Sequence, residues 1–326
     1  MTPLLLALSF TVPAAAMPSR AKEPTYGILI LAYGAGGAWR KDLAVLRGQI
    51  KGHAVESVER VEGSPDGVGV QRALDRLLAQ HVAKVVAVPL ITVSESPALE
   101  EVRYLFGVRE DPVTDRPDSR EKEMKPLRTK ARNALSPPLD GRRLKRLQSR
   151  VPLVLAAPID ASPILAAILA DRAKVLSREP AKDAVVLLGR GPRSDESLKT
   201  WKTAATAIAE RVRVQGGFRK SAAVAVRAGV RYGQQDKDRE ELRALLRALT
   251  TEGRVVVVPL APDGSQVERL FKRDLGNAAY RWDGKGVLGD KRLLDWIRST
   301  AEASSKLPDG RRYRDGAPTA PSGALK

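Results

Sequence analysis

The chain has no cysteine and only two histidines in 326 residues. The missing thiols exclude disulfide scaffolds, thiolate zinc sites, iron–sulfur clusters and cysteine nucleophiles. His53 and His81 leave little imidazole for metal ligation or general-base work. Aromatics are 4% of the residues, too few to favour the stacking platforms that hold single-stranded nucleic acid, which argues against a nucleic-acid partner. Acidic residues are the minority charge: 38 Asp plus Glu against 56 Lys plus Arg give a formal +18, which attracts anionic partners without choosing among them. The apolar opening MTPLLLALSFTVPAAA is too short to span a bilayer, so no transmembrane segment is expected there. It reads as a signal peptide over residues 1–16, with Ala14-Ala15-Ala16 as the cleavage site, and implies export to the periplasm; a start at Met17 would instead give a cytoplasmic protein.

At about 150 residues per domain the length suggests two domains, each able to bury its own core. After residue 23, short apolar runs alternate with segments of helical period, which predicts an α/β fold with mainly parallel sheets. Ile28 to Leu31 forms a buried-strand run closed by a Gly-rich turn at Gly34 to Gly37. Leu43, Leu46 and Ile50 then mark one face of a helix. Val85 to Leu90 is another strand, and Pro97 opens a helix that Gly107 closes. Residues 111–150 break the pattern with 12 Lys/Arg, 6 Asp/Glu and no sustained apolar period, and read as a solvated basic insertion.

The unit then repeats. Ala184 to Gly191 echoes the first strand and its turn, and VVVVPL at Val255 to Leu260 echoes VVAVPL at Val85 to Leu90. Val287-Leu288 and the helix around Leu293, Trp296 and Ile297 echo Val154 to Leu176, with Val287-Leu288 in the strand position. Two β-α-β-α-β-α-β-α halves follow, each a mainly parallel four-stranded sheet flanked by helices, over residues 24–180 and 181–303. A disordered tail is expected over 304–326.

The stretches LILAYGAGGAW, VVAVPLITVSESPALEEVRYLFG, SPILAAILADRAKVLSREPAKDAVVLLGRGPRSDES and VVVVPL resemble the two-domain sirohydrochlorin chelatases of the CbiX and SirB type, the class II chelatases. The resemblance covers nearly the whole chain outside the insertion, the tail and the signal peptide. It implies tandem chelatase-like domains that insert cobalt or ferrous iron, as a substrate metal, into an anionic, carboxylated tetrapyrrole held between the halves, with no organic cofactor. In that family the first strand ends in a His-Gly pair whose His meets the metal and takes pyrrole protons, and a second His follows the third strand. Here Tyr33 precedes Gly34, and Val93-Ser94-Glu95-Ser96 carries Glu95 at the second position. Arg190-Gly191-Pro192 stands where some relatives have His-Gly-Pro, and Ser265 is the counterpart of Glu95.

By resemblance Tyr33 and Glu95 become the catalytic and metal-facing pair, with Gly34, Ser94, Ser96 and Arg190 around the ligand. Every motif histidine is replaced, so the same positions also fit a binding protein that does not insert metal. Glu95 alternatively reads as a helix-entry acid before Pro97. Arg190 with Arg193 reads either as a solvated turn or as a bidentate carboxylate grip. Glu100, Glu101 and Arg103 read as a helical surface face with local ion pairs. His53 and His81 are expected to be structural or on the surface. The basic insertion fits a flexible loop, an attractor of anionic tetrapyrrole, a polyanion site or a membrane-headgroup contact.

Overall fold

The computed structural model describes residues 26–33, 37–60, 67–112, 145–227, 230, 232–271 and 279–315. The first half runs β1 (Tyr26–Tyr33), α1 (Gly37–Gln49), β2 (Ala54–Arg60), α2 (Gly67–Leu78), β3 (Lys84–Leu90), α3 (Pro97–Leu105), β4 (Leu153–Leu155) and α4 (Pro163–Leu176). The second half runs β5 (Ala184–Arg190), α5 (Asp195–Gly216), β6 (Lys220–Val226), α6 (Tyr232–Thr250), β7 (Val255–Pro259), α7 (Gly264–Phe271), β8 (Tyr280–Arg281) and α8 (Lys291–Ser305). Two all-parallel sheets form, ordered β2-β1-β3-β4 and β6-β5-β7-β8, as the α/β reading anticipates.

The strands read as apolar runs because both faces of each sheet are covered. In β1, Ile28, Ile30 and Ala32 enter one core cluster, while Leu29 and Leu31 enter another with α2 and α3. In β5, Val185 and Leu187 join the same cluster as Ile28, and Val186 and Leu188 face α6. The inner faces of the two sheets therefore share one continuous core, in which α1, α4, α5 and α8 all take part.

Helices α4 and α8 exchange partners. α4 follows β4 of the first sheet but packs on α5 and β7 of the second, and α8 follows β8 but packs on β3 and β4. Local chemistry sets where α4 starts: Ser162 Oγ accepts from the Ile164 amide at 3.3 Å, and Pro163 occupies the first turn, where its missing N–H costs nothing.

Three expectations change. Val287-Leu288 is a turn ahead of α8, and the fourth strand of the second sheet is Tyr280–Arg281, too short and too polar to register as an apolar run. The tail expected to be disordered from Ser304 starts instead with the end of α8 and a docked strap through Asp315. The Gly310 amide donates to Leu153 O at 2.8 Å, and the Arg312 and Tyr313 amides donate to Gly107 O at 2.8 and 2.9 Å. Gly107 has φ +65°, and a Cβ there would stand 2.2 Å from Tyr313 O, so only glycine lets the strap approach. The end of the basic insertion is also fixed. Leu147 N bonds Leu105 O at 2.8 Å, and the Arg146 guanidinium lies between the Tyr104 and Tyr313 rings, 4.5 and 5.6 Å from their centroids.

Candidate functional site

Strand register makes the halves comparable residue by residue. Leu31 pairs Pro89 and Leu188 pairs Pro259, so Tyr33 and Arg190 are equivalent last residues of the two first strands. Open parallel sheets carry ligands at such carboxyl ends. Here the ends from the two halves come together. Thr92, just past β3, donates its buried hydroxyl to Leu260 O, just past β7, at 3.1 Å. Arg211 of α5 reaches across to Asp160 O, beyond β4, at 3.1 Å.

In the first half, Tyr33 ends β1 beside Arg60 of β2, and Gly34 lies outside the described residues. The loop after β3 is pinned by a residue that sequence reasoning missed. Asp160, in a single 3-10 turn over Ile159–Ala161, accepts from the Ser94 amide and the Ser94 hydroxyl, each at 2.5 Å. Both carboxylate oxygens of Asp160 are thereby engaged, and the loop is presented with Glu95 exposed at its tip. Ser96 precedes α3 without accepting a side-chain capping hydrogen bond, and its buried Oγ has no hydrogen-bond partner among the described residues. No sequence motif flags Asp160; its one signal is its place two residues before the Ser162-Pro163 helix start.

The second half ends differently. Arg190 closes β5, and burial first, then the neighbouring charge of Arg193, lower its guanidinium to about 10. Gly191 keeps the turn tight: a Cβ there would lie 2.8 Å from Ala225 Cβ and 3.0 Å from Leu198 Cδ1. Beyond β6, Arg227 is buried in a fork with Asp238, Nε to Oδ2 and Nη2 to Oδ1 both at 2.9 Å, and it also pairs with Asp195 at the start of α5. Hydrogen bonding to Asp238 raises Arg227 above the ordinary arginine value. Ser265, the counterpart of Glu95 by sequence count, sits in the first turn of α7. Its amide and hydroxyl bond Asp263 at 3.0 and 2.6 Å. The loop that exposes Glu95 in the first half is thus absorbed into a helix in the second.

The histidines lie at the other end of the strands. His53 precedes β2 with its ring centroid 4.3 Å from that of Tyr26, and His81 sits in the exposed turn before β3 with φ 56°. Glu100 pairs with Arg103 and, at 2.6 Å, with Arg109, a surface cluster as expected. Among the described residues no three His, Cys, Asp or Glu gather as a metal-ligand set. No described helix is long and apolar enough to cross a membrane.

The doubled parallel α/β fold, with its paired strand ends, defines a chelatase-like architecture. Among solved structures it is similar to SirB from Bacillus subtilis, solved with Fe3+, at TM-score 0.50 and 15% identity over 87% of this chain and 99% of that one. It also matches DR2241 from Deinococcus radiodurans, described as a multi-domain protein with structural similarity to chelatases, at TM-score 0.49 and 14% identity over 88% of this chain and 56% of that one. A periplasmic sugar-binding protein from Legionella pneumophila follows at TM-score 0.32. No family model matches the chain, and no curated protein matches it in sequence.

Proposed function

We propose that this protein binds a carboxylated tetrapyrrole between its two halves and holds it for a divalent metal, cobalt or ferrous iron, delivered as substrate. The observation that carries the reading is the charge difference between the equivalent strand ends of two sheets whose following loops meet through Thr92 and Leu260. One end offers Arg190 beside Arg193, the other Tyr33 and the exposed Glu95. A ligand with peripheral carboxylates and a proton-bearing, metal-accepting centre matches that division. Arginine forks take carboxylates bidentately, while Glu95 is assigned to pyrrole protons and Tyr33 to the metal. Ser94 holds the loop that carries Glu95 and Ser96 against Asp160, and Gly34, next in the chain after Tyr33, is the further residue assigned to the ligand.

A second reading is a carrier that binds without inserting metal, on an exported protein. It is favoured by the Asp160 carboxylate, which is spent on Ser94 and not available as a further ligand. Titration of the full chain with sirohydrochlorin and uroporphyrin, followed at the Soret band, tests the shared claim; no shift with either overturns both readings. A cobalt and ferrous insertion assay then separates them. Turnover abolished by Glu95→Ala supports the chelatase, and one-to-one binding without insertion supports the carrier. Mass spectrometry of the mature N-terminus tests export.

A further inference from the structure

At the opposite end of the second sheet from the candidate site, a cavity of about 310 Å³ opens where the end of α4 meets the first residues of β7 and β8. Leu176 and Val256 supply apolar wall, and Arg178, Arg254, Arg281 and Asp183 supply the charges. Val256 and Arg281 are register partners, so they share the sheet face that α4 covers.

The single carboxylate is already committed. Asp183 is buried, accepts from Ser177 Oγ at 2.5 Å and holds Arg254 Nε at 3.3 Å. It therefore braces one arginine and leaves the other two unanswered. Arg178 and Arg281 make no hydrogen bond or ion pair with any described residue. Three guanidiniums against one carboxylate leave two positive charges around a small concave space. Guanidinium forks match the oxygens of a phosphate, and a doubly charged phosphate answers the balance where a carboxylate would leave half of it. The volume is at the lower end of small-molecule sites, about 300–1,000 Å³. The apolar wall gives a hydrocarbon body somewhere to rest. None of these residues takes part in the inter-half site, because they lie just before β5, within one residue of the start of β7, in the short β8 that pairs with the first residues of β7, or at the end of α4.

We propose that this cavity is a second ligand site, for a small phosphomonoester with an apolar body. The reading is independent of tetrapyrrole binding. The test is calorimetric titration of the full chain at low salt with phenyl phosphate and with inorganic phosphate. The expected result is saturable one-to-one binding, tighter for phenyl phosphate. Arg178→Ala and Arg281→Ala should each weaken it by about tenfold, equivalent to about 1.4 kcal/mol, while Arg72→Ala on the exposed side of α2 changes it less than about twofold. Neither tested arginine has a described partner, so both variants should unfold at the wild-type temperature, which a thermal scan checks. Absence of saturation, equal losses at Arg72, undiminished binding in both cavity variants, or binding of inorganic phosphate as tight as phenyl phosphate would each overturn the proposal.

Discussion

The two halves share strand order and register yet build the loops at their strands' carboxyl ends with different physics. The first half pins its β3 loop with a two-point grip on Asp160 by Ser94, a partly exposed arrangement that leaves Glu95 at a solvent-facing tip. The second half buries an ion pair, Arg227 with Asp238, and converts the corresponding β7 loop into the start of α7. One end is built to be approached and the other to be stiff. The same backbone plan can carry opposite tasks because strand ends and loops, unlike the sheet interior, contribute little to the core.

The sharpest way to break this contrast is at the stiff end. The Arg227 and Asp238 side chains are 5% and 4% exposed, so Asp238→Ala leaves a buried guanidinium with the solvent-facing Asp195 as its one carboxylate partner. A loss of about 3–5 kcal/mol is expected in urea denaturation. Because desolvation of both ions offsets much of their attraction, replacing the pair with Arg227→Met and Asp238→Leu should recover a large part of that loss. A cost under about 1 kcal/mol for Asp238→Ala would show that water reaches Arg227 and that the stiffness lies elsewhere.

Next in size is the coupling of the halves through exchanged helices. Ile297 of α8 is fully buried in the core that both sheets share. Ile297→Ala should cost about 3 kcal/mol and lower the unfolding midpoint of both halves together. Tryptophan fluorescence, to which Trp201 and Trp296 in that core contribute, and far-ultraviolet circular dichroism should move as one. Two separated transitions would mean that the halves fold as independent units despite the exchange.

Much of the fold is legible in the amino-acid sequence, for reasons that lie in particular residues. Ile28 to Leu31 and Val255 to Val258 are covered on both faces, so they stand out as runs. Ser162-Pro163 marks the start of α4, counting from Pro89 and Pro259 places Ser265 opposite Glu95, and the echo of the first strand with its following glycine aligns Tyr33 with Arg190. The exchange of α4 and α8 is not legible, because an apolar stripe states that a helix is covered and not which sheet covers it. Tyr280–Arg281 forms a strand through backbone pairing beside β7, without an apolar pattern of its own. At the site, no motif flags Asp160 or Asp238, for a shared reason: each acts on a partner that no local spacing connects to it, 66 residues away for Ser94 and 11 for Arg227.

A smaller effect tests whether the carboxyl ends of the two sheets are held together. Thr92→Val keeps the shape and removes the buried hydroxyl that reaches Leu260 O. The expected cost is about 1 kcal/mol, and the more telling readout is hydrogen exchange. Protection should fall at the loop after β3 and the loop after β7 in the same variant. A change on one side alone would show that the contact does not couple the halves.

The smallest expected effect concerns the strap. Burial pushes the Asp309 carboxyl up, but hydrogen bonds from the Arg311 side chain and amide and from the Leu153 amide outweigh it and hold the group below its ordinary value of 3.8. A depressed carboxylate adds stability that is fully present above the unfolded value and is lost as pH falls through the lower folded value. The strap should therefore stay docked at neutral pH and loosen only below about pH 4. Its loosening should register as faster exchange of the Gly310, Arg312 and Tyr313 amides ahead of global unfolding. Asp309→Asn should cost a few tenths to about 1 kcal/mol and abolish that acid step. Because the strap docks on β4 and Gly107 of the first half, the protection of β6 and α6 amides should not change at the same pH. A loss spread evenly over both halves would instead make the strap part of the common core.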